Sequence, residues 1–191
     1  MSGWERELSD DFLDEIEDAD ALVSGLPLGE AKPDDDVRAT LLASAVGSRF
    51  ERFATATAEL LDVDEDTARQ LLERIDDPSA WYVSALPVMS LIDLDGGPRV
   101  ADAIRGFVRL AAGVHFPEHQ HHGDEAVLII QGSLEEVGTQ RIYRAGDIAR
   151  MPAGSTHSFI VRPGPDMVHL LVVQKGLSIA GQSYGPDDPR I

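Results

Sequence analysis

The sequence predicts a mainly β chain: a barrel or double-sheet jelly roll over residues 81–178, preceded by an acidic helical region over 1–80 and followed by a mobile tail over 179–191. Three observations predict this. Apolar residues recur at helical spacing as far as Ile75, and after Trp81 they fall into short strand-like runs. Turn signals then punctuate the chain at Gly96-Gly97-Pro98, Gly113, Gly132, Gly138, Gly146 and Gly164-Pro165. Finally, a two-part pattern of His, Glu, Gly and Pro runs from Gly113 to His157 inside the β region.

Taken in order, Ser9 is an N-cap and Gly25 a stop for an amphipathic helix over 10–23. Its acidic first turn suits the helix dipole, and its Phe12, Ile16 and Val23 stripe needs its own core, a second subunit or another protein. Gly25 to Asp36 reads as a linker, and Val37, Leu41, Leu42 and Ala45 mark the next helix, ending at Gly47. Ser48 to Glu51 has the form of a capping box before a helix carrying Phe50, Phe53, Leu60 and Leu61. Asp64 or Asp66 caps another, which buries Ala68, Leu71, Leu72 and Ile75 and stops at Asp76-Asp77-Pro78. This much apolar stripe predicts a homodimer or larger oligomer. Strands are expected over 88–94, 106–111, 126–131, 141–143, 158–161 and 168–173, and a tail from Gly181 rich in Gly, Asp and Pro.

Composition narrows the function. A net charge of -18 argues against nucleic acid and anionic membrane surfaces, which need basic patches. With no cysteine there is no disulfide, no Cys-ligated zinc and no thiol switch. No apolar run approaches a membrane span, and the first residues lack the features of a signal peptide, so a cytoplasmic protein is expected.

The first part of the pattern reads G-x5-H-x-H-x3-E-x6-G from Gly113 through His119, His121 and Glu125 to Gly132. The second reads G-x5-P-x-G-x2-H from Gly146 through Pro152 and Gly154 to His157. Side chains two apart on a strand share a face, so His119 and His121 point the same way. Gly123-Asp124 signals a hairpin-like bend that returns Glu125 to the same interior, and Pro152 and Gly154 mark a loop before His157. Three imidazoles and a carboxylate suit a divalent metal ion, zinc in first place, with iron, manganese or nickel as alternatives. His122 has the opposite parity and is expected to face out. His115, before Pro117, is expected at the rim, and His169 is expected to be packed or at an edge. Arg109, Tyr143, Arg150 and Glu118 are the other candidates on the barrel, and no spacing assigns them a role; the catalytic residues stay unknown.

This two-part pattern resembles that of the cupin superfamily, except that the family's second motif ends in Asn where this chain has Val161. The resemblance implies a cupin-type double-stranded β-helix and His119, His121, Glu125 and His157 as metal ligands. Ile75 to Trp81 followed by Gly96-Gly97-Pro98 and the barrel also resembles the cupin half of ChrR-type anti-sigma factors. That family's cupin half responds to singlet oxygen or related oxidants, and its N-terminal zinc module holds a sigma factor. The module uses His and Cys, whereas this chain has no Cys and no His before His115, so the module does not carry over. Three functions follow: a sensor of an oxidant or small ligand with a regulatory role and a sigma factor or other protein partner, a dioxygenase-type cupin enzyme, or a non-catalytic module binding a small metabolite.

Overall fold

The computed structural model describes residues 49–84 and 86–188. The expected helices at 10–23 and 37–46, the linker between them and Ser48 of the capping box lie outside the described residues.

A 3-10 turn over Glu51–Phe53 leads into α1, Ala54–Leu61. α1 stops because Asp62 takes a left-handed backbone, φ 59. An Asp rather than a Gly stands this strain because its carboxylate accepts from the Arg99 backbone N–H at 3.0 Å and Nε at 2.7 Å. α2, Glu65–Glu73, starts at Asp64, whose side chain accepts from the Thr67 N–H at 2.8 Å, so Asp64 and not Asp66 is the cap. A further 3-10 turn, Arg74–Asp76, closes the segment.

The strands follow in chain order: β1 Tyr82–Val83, β2 Met89–Asp93, β3 Ala103–Leu110, β4 His115–His121, β5 Glu125–Gln131 and β6 Ser133–Glu136. They continue with β7 Ile142–Arg144, β8 Ile148–Met151, β9 Thr156–Val161, β10 Met167–Gln174, β11 Leu177–Ile179 and β12 Gln182–Tyr184. They form two six-stranded antiparallel sheets, ordered β1-β2-β3-β10-β5-β8 and β12-β11-β4-β9-β6-β7. This is the expected double-sheet jelly roll. Between the sheets lies an apolar interior that includes Leu91, Val108, Phe116, Ile129 and Val161. Among the described residues no helix is long and apolar enough to cross a membrane.

Three features differ from the expectations. β4 and β5 are not a hairpin: they lie in opposite sheets, and Gly123-Asp124 carries the chain across. A Cβ at Gly123 would come within 2.4 Å of the Gln174 carbonyl oxygen, so the crossing needs a glycine. Packing also runs across residue 80. Strand residues alternate faces, and the outward face of the first sheet, with Ile92, Phe107, Leu128 and Leu170, shares one core with Phe53, Leu61, Leu72 and Ile75. Lastly, part of the expected tail is β12, which pairs with β11 because Tyr184 buries its ring there.

Candidate metal centre

β4 presents His119 and His121, 4% and 1% exposed. The β4–β9 register shifts between Phe116 and His119, beside Pro117, and resumes with His157 opposite His119. Glu125, at the start of β5, comes from the other sheet and is buried. The four side chains offer ligand atoms that all lie within 4.8 Å of one another. His119 Nε2 stands 2.9 Å from His157 Nε2, and Glu125 Oε2 lies 3.3 Å from His121 Nε2 and 3.7 Å from His157 Nε2. All four sequence-predicted ligands therefore meet.

Hydrogen bonding decides which ring nitrogen is free. His119 Nδ1 lies 3.0 Å from the Pro117 carbonyl, which only accepts, so Nδ1 donates and Nε2 keeps its lone pair. His121 Nδ1 lies 3.0 Å from Ser155 Oγ, whose own proton goes to the Pro152 carbonyl at 2.6 Å. Ser155 Oγ thus accepts from Nδ1, and His121 Nε2, which has no hydrogen-bond partner, is also a bare lone pair. His157 Nδ1 faces Glu136 Oε1 at 3.7 Å. The hydrogen-bonded outer partners of His119 and His121 are of the kind that fixes the tautomer of a metal-bound histidine, whereas the Glu136 carboxylate is beyond hydrogen-bond distance of His157 Nδ1.

Two bare lone pairs at 2.9 Å would repel, so the facing Nε2 atoms of His119 and His157 share either a proton or a cation. Two ligands about 2.1 Å from one ion are roughly 3.0 Å apart at a right angle and about 3.4 Å apart at a tetrahedral angle. The observed 2.9 and 3.3 Å separations sit close to that range, and the 3.7 Å one lies a little beyond it. Protonation agrees: burial pushes His119 down to about 4 and lowers His157, so both rings are neutral at pH 7. Burial alone would raise Glu125, but the three surrounding imidazoles together outweigh it and its pKa falls below the ordinary value. Neutral imidazoles with one carboxylate can hold a divalent ion, and an octahedral ion would keep positions open.

His119, Glu125 and His157 border a cavity of about 80 Å³ inside the barrel, lined mainly by apolar side chains. Of the further candidates only Tyr143 lines it. Arg109 stacks on the Trp81 ring at 4.0 Å, outside the barrel, and Arg150 and Glu118 are exposed. His122 is exposed and meets Ser178 Oγ at 2.8 Å, and His115 is exposed too, both as expected. His169 is packed, and it lines the cavity. Sequence reasoning missed Glu136, which also lines it; β6 is too short and polar to show a period.

Residues 101–176 match the family described as the ChrR Cupin-like domain. None of the curated proteins matches the chain. Among solved structures, an acetylacetone dioxygenase from Acinetobacter johnsonii is similar at 14% identity over 59% of this chain and 83% of that chain, with a TM-score of 0.50. An RmlC-like cupin protein from Ralstonia eutropha JMP134 is similar at 21% identity over 60% and 74%, with a TM-score of 0.47. The complex of Rhodobacter sphaeroides SigE with the anti-sigma ChrR matches at 19% identity over 87% and 90%, with a TM-score of 0.48. Likeness at such identities speaks to fold alone.

Proposed function

We propose that this chain, whose residues 101–176 match the family described as the ChrR Cupin-like domain, is a metal-dependent sensor. It holds a divalent ion, zinc in first place, on His119, His121, Glu125 and His157. It receives an oxidant or a small organic molecule in the adjoining cavity and passes the change to a protein partner, a sigma factor by analogy with ChrR. The observation that carries this reading is the convergence of three imidazoles and one carboxylate beside a mainly apolar cavity. A bound ion would supply an electrophilic, ligand-exchanging centre. The chain's own residues orient the imidazoles through Pro117 and Ser155 and exclude bulk water with Phe116, Val127 and Leu171.

Two features support sensing over a specific catalyst. The charged candidates that would clamp a substrate, Arg109 and Arg150, face away from the cavity. The strands that carry Glu125 and His169 inward also carry Leu128 and Leu170 outward, against the core that holds α1 and α2. A shift at the ligand set is thereby transmitted to the helical side. The second reading, an oxygenase-type enzyme, draws on the same apolar cavity beside the open side of the ligand set.

Elemental analysis of protein purified without chelators or affinity metal, followed by exposure to photosensitised singlet oxygen, separates the two. The sensor reading expects one zinc per chain, lost on oxidation, with a change in hydrogen exchange at α1 and α2. Iron with oxygen consumption on addition of small carbonyl compounds refutes it in favour of the enzyme.

A further inference from the structure

Inward-facing residues of the first sheet stack in levels, because partners across antiparallel strands stand side by side. The register places Ile104, Val173, Glu125 and Met151 at one level. Two residues along, the next inward level is Gly106, Leu171, Val127 and Ala149. The third is Leu91, Val108, His169 and Ile129. The middle level is the hollow one: Gly106 adds no side chain and Ala149 a single methyl, and both border the cavity.

His169 lines the cavity from the third level, 5% exposed, and its Nδ1 has no hydrogen-bond partner. Its level neighbours Leu91, Val108 and Ile129 carry no polar side-chain atom. A buried ring nitrogen without a partner is costly, so an imidazole that carries one at the wall of a cavity points to a guest that pairs with the ring. Burial pushes this imidazole down to about 4, so at pH 7 it is neutral, with one nitrogen donating and the other accepting. Glu125 is near enough for its charge to act on the ring. Asp93, Glu125 and Glu136 border the cavity against the single cation Arg105, whose guanidinium is engaged with the Val100 and Ala103 carbonyls, and this balance disfavours an anionic guest.

We propose that His169 and the metal centre are the two ends of one ligand site. The site takes a short organic molecule with an oxygen at the metal end, an apolar middle against Val127 and Leu171, and an uncharged hydrogen-bonding atom at His169. The inference rests on the metal reading above. The levels of Glu125 and His169 are separated by roughly 13 Å of strand, which the two side chains shorten. The cavity accommodates on the order of six to eight non-hydrogen atoms.

The test uses the full chain loaded with cobalt(II), whose visible absorption reports its ligands. Two probes share a hydroxamate that anchors one end at the ion: butanehydroxamate and 4-hydroxybutanehydroxamate, which differ in a terminal hydroxyl. The wild type is expected to bind the hydroxylated probe about ten-fold more tightly, as one hydrogen bond to a buried partner gives. That advantage disappears in His169→Phe, which keeps a ring of similar size, and survives in part in His169→Gln, with cobalt content unchanged in both. Equal affinity for the two probes in the wild type, or the same advantage in His169→Phe, overturns the proposal. Loss of cobalt from both variants also overturns it, since His169 then serves the metal and not a guest. Stoichiometric cobalt whose absorption ignores both probes refutes the shared site while leaving the metal reading intact. A wild type that takes up no cobalt refutes the metal reading itself.

Discussion

Acid should destabilise the metal-free protein through His169 in a way that can be calculated and isolated. The ring's pKa drops from 6.5 to about 4 because burial disfavours its charged form. Above pH 6.5 it is neutral in both the folded and the unfolded chain and adds no pH dependence. Below that, the unfolded chain takes up a proton that the folded chain refuses, so folding free energy is lost as pH falls. The loss levels off near pH 4, where the folded form also protonates. The full difference corresponds to about 3 kcal/mol, and at pH 5 about 2 kcal/mol is already lost. His119 behaves the same way without metal, so the measurement must be a difference between variants. Urea unfolding of chelator-treated wild type and His169→Phe at pH 7.5 and pH 5.0 provides it. The wild type should lose about 2 kcal/mol more than the variant over that interval. Identical losses would show that His169 is not held neutral by burial, and would refute the reasoning.

The remaining predictions concern the ligands, the crossing between sheets, the helices and the assembly. His121→Ala should remove most bound metal, and stoichiometric metal in a His119→Ala, His121→Ala double variant, measured by elemental analysis, would rule the ligand assignment out. Gly123→Ala should destabilise the fold by about 1–3 kcal/mol and weaken metal binding, because the added methyl meets the Gln174 carbonyl beside Glu125; unchanged metal affinity in a titration contradicts this. Leu72→Ala, at a position with 0% exposure, should cost about 2–5 kcal/mol in denaturant unfolding of the whole described unit. A loss below about 1 kcal/mol would mean that α2 is not part of the barrel's core. Sedimentation at micromolar concentration should give a dimer mass, which would shift to monomer on deletion of 1–46 if that region packs on its mate; a monomeric wild type refutes the dimer.

The ligand set was legible because its information is local. His119 and His121 share a face by strand parity alone, and Asp64, Pro117, Gly123 and the glycines around His157 announce a cap, an interruption of the strand, a bend and a loop through their own backbone preferences, though not that the bend at Gly123 crosses between sheets. The longer apolar strands β2, β3, β5, β9 and β10 were legible for the same reason, within a few residues at their ends. Short polar β6 and the β11–β12 hairpin were not, because a run of three or four residues carries no period and its stability comes from the strand beside it. Sequence alone left His169 as a packed or edge histidine and gave Glu136 no role. Only the tertiary structure put both on the cavity, since that depends on which sheet each strand joins and at what register. The same holds for Glu125, which reaches its partners from the opposite sheet and not through a hairpin, and for α1 and α2, whose apolar stripes fit many surfaces. Local pattern specifies which face a residue takes. Which face it meets is decided by contacts between residues distant in sequence, whose free energy appears only once both sheets have closed.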